Sequence, residues 1–158
     1  MLSEINDIVA AYDSQAASLA ERYEGVSAAR IYADLAPNLS ISSGLALDVG
    51  AGSGRDAAWL ATLGYEVVAV EPAAGMRREG AQRHPDLPLR WIDDRLPDLS
   101  VVHRLGLAFD LVLLSAVWMH VPPPFRPRAF RKLVTLLKSG GTLLLSLRQG
   151  PAPPDRQM

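Results

Sequence analysis

The chain has 158 residues, the size of one domain, and its 49% apolar content is ample for a single buried core. Its 16 Lys and Arg against 17 Asp and Glu leave a formal charge of -1, so no general field draws it to nucleic acid or acidic lipid, and a small or locally recognised partner is expected. The absence of cysteine removes disulfides, thiolate nucleophiles and Cys-based metal sites, and fits a reducing compartment.

The first residues, Met1-Leu2-Ser3-Glu4, lack the basic and apolar regions of a signal peptide. An apolar stretch over 105–121 is interrupted by Asp110 and His120 and gives no membrane span, so the expectation is a cytoplasmic protein without a membrane partner. From residue 3 to about 35, Ile5, Ile8, Val9, Tyr12, Ala16, Leu19 and Tyr23 recur at helical spacings, and Gly25 is expected to divide the segment into two helices. Residues 1–40 read as a helical cap, 41–150 as an α/β core and 151–158 as a Pro-rich tail. The core opens with a buried strand over 45–49 and a Gly-rich loop. A helix is expected over 55–63, stopped by Gly64, then an apolar strand over 66–70 ending in Glu71-Pro72. The pattern repeats with a helix over 73–84, strands over 88–92 and 109–115, a helix over 126–137 and a strand over 142–147 behind Gly140-Gly141. Alternating β and α segments with continuously apolar strands predict a parallel, doubly wound sheet covered on both faces. In such sheets ligands bind beyond the carboxyl ends of the strands, where the strand order reverses.

The loop Gly50-Ala51-Gly52-Ser53-Gly54 lies between a strand and a helix, where glycines permit a tight turn and close approach of a ligand to bare backbone. The dinucleotide fingerprint G-x-G-x-x-G requires glycine at position 55, and that residue is Arg55. Asp48 puts a carboxylate inside an apolar strand and needs a donor, either a loop N–H that ties down the turn or a ligand ammonium. Glu71, at the end of the second strand, is placed to accept hydrogen bonds from both hydroxyls of a ribose. His120, after the fourth strand, is a candidate general base, since imidazole titrates near neutrality; a structural role is the alternative. His84 and His103 read as surface residues, and Trp118 as a packed aromatic or a wall of an acceptor pocket.

Four segments, Leu47 to Ala57, Gly64 to Pro72, Phe109 to Leu113 and Leu137 to Thr142, resemble in order and spacing the motifs of class I S-adenosylmethionine-dependent methyltransferases. The resemblance covers roughly residues 40–148 and implies a Rossmann-like fold, S-adenosylmethionine as cofactor and S-adenosylhomocysteine as product. It implies that Asp48 lies near the methionine part, with Gly50, Ala51, Gly52 and Gly54 as the cofactor loop, and that Glu71, with Pro72, holds the ribose. It further implies that Asp93 or Asp94 meets the adenine amino group, that Met76 packs on the adenine, and that Ser115 touches the methionine moiety. Tyr12 and Tyr23 on the N-terminal helices are expected to close over the cofactor, or to pack as ordinary members of an apolar stripe.

Methyl transfer from a sulfonium is a direct displacement that depends on orientation and water exclusion, so the lack of an obvious catalytic dyad is compatible with such an enzyme. A small-molecule acceptor is expected, and no nucleic acid, because no basic stripe with interleaved aromatics occurs. Three other readings are a module that holds S-adenosylmethionine without turnover, an NAD-type dinucleotide-binding domain and a purely structural interaction domain, the last of which would not need Asp48, the glycines and Glu71 at one strand-end edge. The family commonly continues after the fifth strand with a helix and an antiparallel strand pair, for which no segment follows here before Met158. The uncharged segment Thr142-Leu143-Leu144-Leu145-Ser146-Leu147 is therefore expected at an open edge, covered by a second copy of the chain as a homo-oligomer, by the tail folded back, or by nothing if the chain is a piece of a longer protein.

Overall fold

A computed structural model describes residues 2–39, 43–147 and 149. The N-terminal segment forms helices α1 (Leu2–Ser14), α2 (Ala16–Glu24), α3 (Ala28–Ile31) and α4 (Ala36–Leu39). The first break thus falls at Gln15, ahead of Gly25, which closes α2 in an ordinary right-handed conformation. The core then alternates β1 (Gly44–Val49), α5 (Arg55–Thr62), β2 (Tyr65–Val70), α6 (Ala74–Arg83) and β3 (Leu89–Ile92), followed by α7 (Ser100–Arg104), β4 (Phe109–Leu114), α8 (Arg126–Leu136) and β5 (Leu137–Leu145). Short 3-10 turns at Trp118–His120 and Pro123–Phe125 fill the passage from β4 to α8. The Pro-rich tail 151–158 lies outside the described residues.

All five strands are parallel, in the order β3-β2-β1-β4-β5. The order reverses between β1 and β4, so the crossovers before and after that point cover opposite faces of the sheet. On one face Ala46, Val67, Ala69, Leu111 and Leu113 pack against Ala57 and Leu60 of α5 and against Ala28, Tyr32 and Leu39 of the N-terminal segment. On the other, Leu47, Val49, Val68, Val70, Val112 and Leu114 meet Val102 of α7 and Ala129, Leu133 and Leu136 of α8. Successive strand residues therefore serve two cores, which explains why the strands read as unbroken apolar runs.

The fifth strand starts earlier than its sequence suggests. Leu137 pairs with Phe109, the register shifts, and the ladder resumes at Leu111 with Thr142. The four residues Lys138 to Gly141 thus stand against the single Asp110, and Gly140-Gly141 belongs to an irregularity within the strand rather than to a turn before it. Among the described residues β5 has β4 on one side and no strand on the other. No helix of the described residues is long and apolar enough to cross a membrane.

Candidate functional site

A cavity of about 320 Å³ opens at the carboxyl edge of the sheet, beside the reversal point, within the size range of small-molecule sites. Its floor is the loop after β1, its sides are the segments after β2, β3 and β4, and α1 with Tyr23 of α2 forms its roof.

The loop geometry depends on glycine at two points. Gly50 has φ +74 and a Cβ there would overlap the side chain of Val117, so only glycine lets the loop approach the segment after β4. Gly54 has φ +83, and its Cβ would stand 2.9 Å from the Trp91 indole, which occupies the space beside the loop. The N–H groups of Gly50 and Ala51 both donate to the carbonyl of Val70, at 2.8 Å each, which ties the loop to the end of β2. Glu71 completes that tie. Its Oε2 accepts from the Gly52 N–H and its Oε1 from the Ala73 N–H, both at 2.9 Å, and burial pushes its carboxyl above the ordinary glutamate range. Each oxygen keeps a lone pair for a further donor in the cavity.

The aspartates after β3 divide sharply. Asp94 is 8% exposed and lines the cavity; its Oδ1 accepts from Arg95 N–H and its Oδ2 from the N–H groups of Val101 and Val102, so it fixes the start of α7. Asp93 turns outward, with its side chain 69% exposed and 3.4 Å from Arg77.

Three expected residues do not reach the wall besides Asp93. Met76 is fully buried, because the first turn of α6 directs it onto Ala16 and Leu19 of α2. Gly54 faces Trp91 instead of the cavity. Asp48 lies beneath the loop at 1% exposure, where the Ala57 N–H donates to it and Oδ2 has no hydrogen-bond partner among the described residues. Burial, then the neighbouring carboxylates Asp56 and Glu71, hold its carboxyl well above the usual range. The structure therefore gives Asp48 a place under the site and not in contact with the cavity. Asp48→Asn is expected to raise the melting temperature by a few degrees, because an amide donor replaces a carboxyl oxygen among carboxylates, an exchange of about 1 kcal/mol. A thermal melt that drops instead would show that the fold needs the ionisable group.

The cavity does gather Tyr12, Gly50, Ala51, Gly52, Glu71, Pro72, Asp94, Ser115 and His120. His120 stands edge-on to Tyr12, with ring centroids 6.3 Å apart and planes at 83°. Ala116, next to Ser115, adopts φ 55, a left-handed conformation that costs a non-glycine residue energy and is held by a 2.8 Å bond from its N–H to Ser146 Oγ. The end of β5 thus shapes the segment after β4.

Sequence reasoning missed a polar pair on the cavity wall. Arg55 and Asp56 both line it, and Arg55 Nε donates to Asp56 Oδ1 at 2.8 Å. Beneath them the Tyr32 hydroxyl lies 3.0 Å from Asp56 Oδ2 and 2.9 Å from Ser115 Oγ, while its ring stacks on Trp59 at 4.7 Å. Burial first, and then the Asp56 charge, push the Tyr32 phenol upward, so it remains a proton donor to this network. The available signal was the adjacency of opposite charges directly after the last loop glycine. His84 is also misread as a surface residue: its Nε2 lies 2.8 Å from Glu24 Oε1, which also accepts from Ser53 Oγ, so the end of α2 is fastened to the Gly loop and to the end of α6.

Charge distinguishes the ligands this cavity suits. Asp56, Glu71 and Asp94 face Arg55 and Arg95, with Asp48 close beneath, so the wall offers more anions than cations. A pyrophosphate would meet carboxylates, whereas a cationic ligand gains from them.

Residues 47–145 match the family described as a methyltransferase domain. A protein-L-isoaspartate O-methyltransferase of Chlorobaculum parvum is 34% identical over 106 residues, 67% of this chain and 44% of that protein. A demethylmenaquinone methyltransferase of Renibacterium salmoninarum is 31% identical over 100 residues, 63% of this chain and 39% of that protein. Among solved structures, the glycopeptide N-methyltransferase MtfA complexed with S-adenosyl-L-methionine has a TM-score of 0.63 at 24% identity, covering 78% of this chain and 54% of its own. A TehB-like SAM-dependent methyltransferase from Corynebacterium glutamicum has a TM-score of 0.64 at 20% identity, covering 84% and 72% respectively. The chain spans less than half the length of the two sequence relatives, and the structural likenesses establish the fold.

Proposed function

Because the chain belongs to the methyltransferase-domain family, we propose that it binds S-adenosylmethionine at the carboxyl edge of the sheet and transfers the methyl group to a small-molecule acceptor. The observation that carries this reading is the pairing of the tight Gly loop with Glu71 in a wall that holds three carboxylates against two guanidinium groups, which suits a ribose and a cation and disfavours a dinucleotide. Glu71 receives both ribose hydroxyls. The backbone of Gly50, Ala51 and Gly52 passes close beneath the sugar and sulfur. Asp94, rather than Asp93, faces the adenine amino group, because only Asp94 lines the cavity. On the cavity wall Arg55 suits the α-carboxylate and Asp56 the α-ammonium, with Ser115 beside them and Tyr32 bracing Asp56 from below.

When bound, the cofactor supplies a methyl group already activated by the positive sulfur. The chain's task is then to orient the acceptor in line with that methyl and to exclude water. Tyr12 and the α1 side chains close the roof. His120 accepts the acceptor's proton. The acceptors named for the two relatives, an isoaspartyl protein and demethylmenaquinone, differ in class, so kinship alone does not fix the acceptor.

His120→Ala is expected to lower turnover by about 10²- to 10⁴-fold while leaving cofactor affinity nearly unchanged. In the parent protein the rate should fall as pH drops and the imidazole takes up a proton, and the variant should lose that dependence. Unchanged turnover per folded molecule, with a lowered melting temperature, would assign His120 a structural role instead.

A further inference from the structure

Tyr32 closes helix α3 from a buried position, 4% exposed. Its N–H donates to the Ala28 carbonyl, its own carbonyl accepts from Leu35 and Ala36, and its ring stacks on Trp59 with the planes 22° apart. Backbone and ring are thus held independently of what the hydroxyl bonds. That hydroxyl stands between two cavity residues from different elements, Asp56 Oδ2 of α5 at 3.0 Å and Ser115 Oγ, directly after β4, at 2.9 Å. Tyr32 itself does not line the cavity.

A phenol has one hydrogen, so the two contacts cannot both be donations from Tyr32. Arg55 Nε donates to Asp56 Oδ1, and beside that guanidinium Asp56 is a carboxylate with only lone pairs to offer. Were the phenol hydrogen turned to Ser115, lone pairs of Tyr32 and Asp56 would face each other at 3.0 Å in a buried place. The hydrogen bonds therefore run one way: the Ser115 hydroxyl donates to Tyr32, and the Tyr32 hydroxyl donates to Asp56. Burial and then the Asp56 charge push the phenol upward, which keeps its hydrogen in place. A free serine hydroxyl rotates to donate or accept as a ligand requires. Ser115 has committed its hydrogen to Tyr32, so it meets a ligand with lone pairs alone, as Asp56 does.

Resting on the cofactor reading above, we propose that Tyr32 is a positioning residue that sets ligand specificity: by fixing Ser115 and Asp56 as acceptors on either side of one phenol oxygen, it makes this part of the wall select the α-ammonium of S-adenosylmethionine over a ligand that lacks one. An ammonium carries three donors and no acceptor, so it matches a wall that only accepts. Tyr32 acts through the two residues it bridges. Its replacement by Phe keeps the ring on Trp59 but releases the Ser115 hydrogen, which is then free to turn against the ammonium, and takes from Asp56 Oδ2 the donor that holds it.

The test titrates the full chain at neutral pH with S-adenosylhomocysteine and with its desamino analogue, in which hydrogen replaces the amino group while nucleoside, sulfur and carboxylate are kept. The ratio of the two affinities reads the ammonium contact alone, because a general loosening of the cavity weakens both ligands. The parent should prefer S-adenosylhomocysteine by at least about thirtyfold. Tyr32→Phe and, separately, Ser115→Ala should each cut that preference by about fivefold to tenfold, with the analogue binding as it does to the parent. Ser115→Ala leaves Tyr32 and its stacking in place, so it decides the matter if Tyr32→Phe does not fold. A ratio unchanged in either folded variant, an equal loss for both ligands included, or a parent that binds the two alike, overturns the proposal alone. Failure of both ligands to bind the parent overturns it together with the reading it rests on.

Discussion

Glu71→Ala should weaken S-adenosylhomocysteine binding by about one to two orders of magnitude, the equivalent of roughly 1.5–3 kcal/mol for hydrogen bonds to a charged acceptor. The carboxylate is 7% exposed and already receives the Gly52 and Ala73 N–H groups, so it is held in place for the ribose before any ligand arrives. Its removal also frees those two donors, and some loss of stability should accompany the loss of affinity. Glu71→Gln separates the two effects, since an amide oxygen keeps one acceptor while the charge is gone. The pH dependence has a definite sign. Burial raises the Glu71 pKa, so between the ordinary glutamate range and its raised value the folded chain holds a proton that the unfolded chain has lost, and rising pH removes stability. Over the same window the ligand gains affinity, because the ribose hydroxyls need the anion. Calorimetric titration across that window should show both the affinity rise in the parent and its absence in Glu71→Gln. Affinity for S-adenosylhomocysteine equal to the parent's in a folded Glu71→Ala would remove this residue from the site.

The second large effect concerns the loop itself. Gly54→Ala is expected to cost roughly 3 kcal/mol, of which about 1–2 comes from the left-handed backbone at φ +83 and the rest from overpacking against Trp91 and His84. For a domain of this size that is a fall in melting temperature on the order of 10 °C. Gly106→Ala supplies the control, since Gly106 has φ +66 but nothing within 4 Å of its Cβ position. Thermal melts should show Gly54→Ala to be distinctly worse than Gly106→Ala. Equal losses would mean that the Trp91 wedge yields freely and that only the backbone conformation matters.

Much of this was legible in the sequence because the strands serve two cores and so cannot alternate. The apolar runs at Leu45 to Val49, Val67 to Val70 and Phe109 to Leu114 mark β1, β2 and β4 within a residue or two, and the order of glycines with Glu71 points to the edge of the sheet where the cavity opens. Less visible were features set by contacts between distant segments. Asp93 and Asp94 are adjacent and chemically identical, and only the N–H groups of Val101 and Val102, seven and eight residues on, draw Asp94 inward. The direction of Met76 depends on the arrival of α2 against α6. Asp48 reads as a charge in a strand that needs a donor, from a loop N–H or a ligand ammonium, and only the fold decides between them: the first turn of α5 supplies the Ala57 N–H and the Gly loop closes over the carboxylate. Arg55 and Asp56 read as a helix start, and their joint placement on the cavity wall follows from how the loop hands the chain to α5. The half-buried stripe of α1 looked like an ordinary amphipathic face, since periodicity reports that a helix has an apolar side but not what fills the space opposite it.

The central claim is that the cavity is built for a sulfonium nucleoside and not for a dinucleotide. Parallel calorimetric titrations of the folded chain with S-adenosylhomocysteine, S-adenosylmethionine and NAD test it directly, with Glu71→Ala as the matched control. Saturable binding of the first two at one site per chain, lost by at least about tenfold in the control and far weaker for NAD, is the result that the geometry of Glu71, Gly52 and Asp56 predicts. NAD binding as tightly as S-adenosylhomocysteine, or no heat from either S-adenosyl ligand, would contradict it.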